Sequence, residues 1–222
     1  MNQSVKKILV ILPVFILTWL FLRGHYDQQY RHSTDKRLFA LAITVLLLYA
    51  WIITGVIRRK QDSFFQGLLQ SSFYVYIFSV LTLTGYFILF KEVSAHGWWD
   101  KMMMRVDRKT GVNLTPLYSI KHYGLFAYQI VGNFIMLLPL GIYIPLMYKK
   151  ISGFIYVTFV CMLVSVGIEL MQLVTNFRVT DIDDVILNTL GAAVGYIIYA
   201  IIKWGVADSS IFTPVKSGTL TR

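Results

Sequence analysis

The chain has 222 residues, of which 56% are hydrophobic and only 14% are charged. Soluble domains carry about 25% charged residues, so this composition excludes an ordinary soluble domain and indicates an integral membrane protein. The net charge of +10 does not indicate nucleic acid as a partner, because long apolar runs separate the basic residues. The single cysteine, Cys161, excludes a disulfide framework and a multi-thiolate metal site.

Six apolar runs approach the length of about 20 residues that a membrane-spanning helix needs. The sequence therefore predicts an all-α, polytopic bundle of about six transmembrane helices. The first run contains Pro13 and follows two lysines, but no small-residue cleavage site follows it, so it is interpreted as a retained helix. The predicted spans, in chain order, are Ile8 to Leu22, Leu38 to Ile57, Phe73 to Phe90, Leu125 to Met147, Ile151 to Val174 and Val185 to Ile202.

Basic residues beside the ends of alternate spans predict the orientation, because lysine and arginine are retained on the cytoplasmic side. Both termini are then cytoplasmic. The residues that carry this prediction are Lys6 and Lys7; Arg58, Arg59 and Lys60; Lys149 and Lys150; and Lys203.

The chain is predicted to have three regions. Residues 1–72 hold two spans and a linker, of which residues 61–72 are either an interfacial helix or a plain connection. Residues 73–202 form a core of four spans, interrupted by an extracytoplasmic flap at residues 91–124. Residues 203–222 form a cytoplasmic tail.

Polar residues enter the last three spans near the predicted outer ends, and an ionisable residue within a span indicates a functional site by default. Glu169 lies on a polar helix face, and the turn after the fifth span adds one arginine and three aspartates. The sequence predicts an outer-leaflet polar pocket. Its residues are Asn133, Glu169, Gln172, Arg178, Asp181, Asp183, Asp184 and Asn188.

The charged residues of this pocket have alternative interpretations. Glu169 either forms a structural ion pair with Arg178 or binds and protonates a ligand group, and Arg178 could bind a phosphate. Asp181, Asp183 and Asp184, with Glu169, could hold Mg²⁺ or Ca²⁺. The alternative is that these aspartates cap the sixth helix and pair with Arg178.

The amide residues of the pocket are either hydrogen-bond partners between helices or ligand contacts. This choice applies to Asn133, Gln172 and Asn188, and to Gln129 on the fourth span. Further along the same span, Pro139 and Gly141 are expected to interrupt the helix.

The pattern of these residues resembles the VanZ-like family. The matching motifs are Asn113-Leu114-x-Pro116, Gly132-Asn133-Phe134, Leu138-Pro139-Leu140-Gly141, Pro145, Glu169-x-x-Gln172, Arg178-x-x-Asp181-x-Asp183-Asp184 and Asn188-x-x-Gly191-x-x-x-Gly195. The resemblance covers about residues 73–202 and implies low-level bacterial resistance to teicoplanin, a glycopeptide with a lipid tail. It implies a multi-pass protein of the bacterial cell membrane, but no reaction. Residues 1–72 exceed the family core, and Leu117 stands where phenylalanine is more usual.

Two functions from different classes compete. One is a non-enzymatic resistance factor whose partners are the lipid bilayer and either a lipid-linked envelope precursor or the lipoglycopeptide. The other is a metal-assisted transferase or hydrolase of lipid-linked phosphates. The standard hydrolase, nucleotide and zinc motifs are absent from the sequence. A transporter is disfavoured, because the polar residues cluster at one end of the spans.

Overall fold

The computed structural model describes residues 3–25, 45–50, 52–55, 64–86, 97–108, 111–148, 152–174 and 179–205, which are mostly helical. The helices are α1 (Gln3–His25), α2 (Val45–Gly55, apart from residue 51), α3 (Phe64–Leu83), α4 (Gly97–Asp107), α5 (Tyr118–Tyr123), α6 (Tyr128–Met136), α7 (Leu138–Met147), α8 (Phe154–Leu173) and α9 (Ile182–Gly205). Two short strands, β1 (Val112–Asn113) and β2 (Thr180–Asp181), form a parallel pair. The all-α prediction therefore holds apart from this pair.

Three helical segments of the described part are long and apolar enough to cross a bilayer: Tyr128–Met147, Phe154–Leu173 and Ile182–Gly205. They correspond to the predicted fourth, fifth and sixth spans. Shorter apolar stretches lie in α1 (Lys7–Leu20) and α2 (Val45–Gly55). The total of six spans and the cytoplasmic placement of both termini stay predictions.

The third helix begins earlier than the sequence predicts. It runs from Phe64 to Leu83 without a break, so residues 64–72 continue this helix and are not a separate linker. The polar residues that suggested a boundary are bonded inside the protein. Gln70, 2% exposed, donates to the Tyr74 hydroxyl at 2.9 Å, and the Tyr143 hydroxyl donates to Ser72 at 3.0 Å.

A break divides the fourth predicted span into α6 and α7 at Leu137. Pro139 causes it, because proline has no N–H to donate and its ring crowds the preceding turn. The break frees main-chain carbonyls, and the Tyr76 hydroxyl of α3 donates to Met136 O at 2.8 Å. The prediction of an interruption here was correct for Pro139, whereas Gly141 lies within α7.

Helix α9 packs against α6, α7 and α8. Glycines allow the backbones of α9, α6 and α7 to touch. A Cβ built at Gly191 would lie 1.8 Å from Phe134 O, and one built at Gly195 would lie 2.0 Å from Leu138 O. Small residues permit such close helix approach in membranes, and this contact places the middle of α9 directly against α6 and the start of α7.

The apolar core joins the N-terminal helices to the rest of the protein. Five buried side chains from α1, α2, α3, the α6–α7 break and α8 belong to one cluster: Val14, Ile52, Phe73, Leu137 and Val157. By contrast, one side of α8 exposes Ile155, Leu163 and Leu170, as a face in contact with lipid would.

Candidate functional site

The described part of the predicted flap, residues 97–108 and 111–124, contacts the end of α8 and the start of α9. Val112 pairs with Thr180 and Asn113 with Asp181, and the Thr180 N–H donates to Gly111 O at 2.9 Å. These bonds join residues 111–113 of the flap to residues 180 and 181, which directly precede α9.

Asp181 connects the two sides of this contact. It is 9% exposed, and its Oδ1 accepts from the Asp183 N–H at 3.0 Å, which caps the first turn of α9. Its Oδ2 accepts from the Asn113 amide at 3.2 Å and from the Ser119 hydroxyl. One carboxylate therefore caps a helix and binds the flap.

Asp183 binds the backbone of the flap. It is 1% exposed, and its two oxygens accept from the Leu117 N–H and, at 2.8 Å, from the Ser119 N–H. Leu117 has a φ of 63°, a left-handed conformation that is uncommon for residues other than glycine. The two bonds stabilise a turn that leucine does not favour.

Glu169 lies beneath this contact, in the last turns of α8. It is 4% exposed, and its Oε2 accepts from the Asp181 N–H at 2.9 Å, while the Thr180 hydroxyl donates to its main-chain carbonyl at 3.3 Å. The structure thus brings Glu169 and Asp181 into contact. Arg178, the predicted partner of Glu169, lies outside the described residues, so the ion pair stays a prediction.

Arg105 of α4 is a site residue that the sequence reasoning missed. Its guanidinium donates to Leu173 O at 3.2 Å and Gln172 O at 3.4 Å, two carbonyls at the end of α8, and to Gly111 O at 3.2 Å. A cation at a helix C-terminus is favourable. Partial burial lowers the pKa of Arg105 from its ordinary value, yet arginine stays charged at neutral pH.

Gly111 makes room for Arg105. It has a φ of +71°, and a Cβ built there would lie 2.0 Å from Arg105 Nη2. Gly111 is the residue in the sequence that could have indicated a close contact here. Nothing in the sequence linked it to the arginine six residues earlier.

The predicted amide and acidic residues differ in their surroundings. Asn188 is fully buried and donates to Ser165 Oγ at 2.9 Å, which makes it a contact between α9 and α8. Gln172 is also buried. Asn133 and Asp184 are half-buried, and Gln129 is exposed.

The described residues contain no group of three His, Cys, Asp or Glu side chains placed to hold a metal ion. All four oxygens of Asp181 and Asp183 accept from protein donors. These carboxylates satisfy a turn and a helix end. The interpretation of Glu169, Asp181, Asp183 and Asp184 as ligands for Mg²⁺ or Ca²⁺ stays a prediction.

The C-terminal part of the flap and the start of α6 carry a group of exposed apolar side chains, which we call the apolar ledge. Phe126 is 94% exposed and Tyr128 is 91% exposed. The ledge consists of Leu114, Leu117, Tyr118, Tyr123, Leu125, Phe126 and Tyr128. An exposed apolar surface of this kind marks an interaction site with protein, ligand or membrane.

Comparison with known proteins shows the family to which the chain is similar. The family model described as VanZ/LLP1 matches residues 73–203, more than half of the chain. Protein VanZ of Enterococcus faecium is 30% identical over 90 residues, which cover 40% of this chain and 53% of that protein. The match thus spans about half the length of that relative. No solved structure is significantly similar to the chain.

Proposed function

Because the chain belongs to the VanZ/LLP1 family, we propose that it lowers the susceptibility of bacteria to teicoplanin. It does so at the outer-leaflet ends of α6, α8 and α9. There it binds either a lipid-linked component of the envelope or the acyl tail of the antibiotic. The observation that carries the proposal is the apolar ledge, in which the Leu117 N–H donates to the buried Asp183 carboxylate, while the neighbouring Ser119 donates to both Asp181 and Asp183.

The ledge suits an acyl ligand for a physical reason. Each CH₂ group that a lipid tail buries contributes about 0.8 kcal/mol. A fixed apolar surface at the membrane boundary competes for part of that free energy, and its order before binding reduces the entropy that binding costs. Aromatic residues such as Tyr118 and Tyr123 also suit the headgroup level of a bilayer.

The proposal requires the ledge to face outward, which the distribution of basic residues predicts. Single cysteines at Ser94 and Ser152, in a Cys161→Ser background, test this. We expect an impermeant thiol reagent to label intact cells at position 94 only. Labelling at position 152 alone would place the ledge in the cytoplasm and refute the proposed site.

Drug selectivity tests the function itself. Expression in a susceptible strain is expected to raise the inhibitory concentration of teicoplanin and to reduce surface binding of a fluorescent derivative. Vancomycin, which lacks a lipid tail, is expected to act almost unchanged. Equal protection against both drugs would contradict the proposal and favour an enzyme that alters the envelope.

Two variants connect this effect to the site. Glu169→Gln keeps an oxygen that accepts the Asp181 N–H but loses the charge. Phe126→Ser removes the most exposed aromatic side chain of the ledge. Both variants are expected to abolish the teicoplanin effect. Phe154→Ser, at the opposite end of α8, is the matched control and should keep it. Immunoblots of the membrane fraction check that all three proteins accumulate equally.

A further inference from the structure

The two sides of α9 differ in chemistry. Toward α6 and α7, glycines bring backbone against backbone, as at Gly191 and Phe134 O. Toward α8, the buried residues include polar groups: Ser165 and Asn188 are both 0% exposed, and Glu169 is 4% exposed. The α8–α9 interface therefore carries hydrogen-bonding groups deep inside a pair of apolar helices.

The side-chain amide of Asn188 is only half satisfied. Its Nδ2 donates to Ser165 Oγ at 2.9 Å, whereas Oδ1 is buried and has no hydrogen-bond partner among the described residues. If the amide oxygen and nitrogen exchanged positions, the NH₂ group would be the one without a hydrogen-bond partner among the described residues. In either orientation one end of the amide lacks a protein partner, although buried polar groups are nearly always hydrogen-bonded.

Thr158 repeats this feature nearer the N-terminal end of α8. Its Oγ1 is buried and has no hydrogen-bond partner within the described part of the chain. Thr158 precedes Ser165 by seven residues, about two helical turns, so both lie on the same face of α8. Glu169 follows Ser165 by four residues on that face.

We propose that the α8–α9 interface binds internal water, as a chain of molecules that extends from Glu169 past Asn188 toward Thr158. Water both donates and accepts hydrogen bonds, so it satisfies Asn188 in either amide orientation and also the Thr158 hydroxyl. The polar face of α8 leads from these groups to Glu169 near the helix end. The binding of this water does not require the antibiotic or lipid ligand proposed above.

Exchange of a thiol proton with D₂O tests this with water itself as the probe. The variants are Ser165→Cys and Ile168→Cys, each in the full-length Cys161→Ala protein reconstituted in lipid. Ile168 is 4% exposed, belongs to the apolar core and lies nearer the end of α8 than Ser165 does. The infrared S–H band of each variant is followed after transfer to D₂O.

We expect the S–H band at position 165 to disappear at least about tenfold faster than the band at position 168, because water reaches only the polar face. Adding Asn188→Leu to Ser165→Cys should slow exchange to the rate at position 168. Equal or slower exchange at position 165 overturns the proposal. If Ser165→Cys does not fold, Thr158→Cys is compared with Val157→Cys, a variant of its buried apolar neighbour. The proposal then requires faster exchange at position 158 than at position 157.

Discussion

Replacing Gly191 with alanine is expected to prevent accumulation of folded protein. The new Cβ would lie 1.8 Å from Phe134 O, a main-chain atom of α6 that cannot rotate away. Overpacking of a core usually costs about 1–3 kcal/mol when side chains can adjust, and more is expected where two backbones must separate. Membrane protein levels, and elution as a single species from a gel-filtration column in detergent, measure the loss.

Gly132→Ala and Gly167→Ala are the matched controls, since nothing lies within 4 Å of a Cβ built at either position. Both glycines are within helices, where alanine is more stable by about 0.8–1.0 kcal/mol. We expect these proteins to accumulate at least as well as the parent. Normal folding of Gly191→Ala would show that α6 and α9 are farther apart than described.

Asp183→Ala is expected to have the second largest effect. It removes the acceptor of the Leu117 and Ser119 N–H groups, at a site that is 1% exposed. Leaving a buried donor unsatisfied costs about 1–3 kcal/mol. We therefore expect a lower thermal midpoint and faster trypsin cleavage in the flap, after the exposed residues Arg108 and Lys121.

Asp107→Ala is the control for Asp183→Ala, because Asp107 is an exposed aspartate of the same flap. Its thermal midpoint and cleavage rate should match those of the parent. Asp183→Asn keeps one acceptor oxygen and is expected to give intermediate values. If trypsin cleaves the Asp183→Ala protein at the parental rate, Asp183 does not fix the flap.

The sequence predicted those parts of the fold that depend on apolar length and on proline. The last three spans follow from their composition, and the break near Pro139 follows from its missing N–H. The start of α3 could not be predicted in the same way. Gln70 and Ser72 look like span boundaries until their partners, Tyr74 and Tyr143, are known.

The site was predicted in outline only. Helical spacing placed Glu169 on a buried polar face, and the acidic turn placed Asp181 and Asp183 beside it. Spacing carries no information about residues far away in the chain, so the contacts of Arg105 with Leu173 O and of Ser119 with both aspartates could not be derived.

The contact between the flap and the start of α9 also sets an order of events during synthesis. Its hydrogen bonds join residues 62 to 68 positions apart, and the aspartates are made last. At about 5–20 residues per second, the aspartates are added to the chain roughly 3–14 seconds after the flap residues that they bind. During that interval Leu117 has no carboxylate to stabilise its left-handed turn, so the ledge takes its final shape only when α9 begins. A nascent chain that stops before Thr180 therefore displays the apolar side chains without the arrangement that makes them a surface.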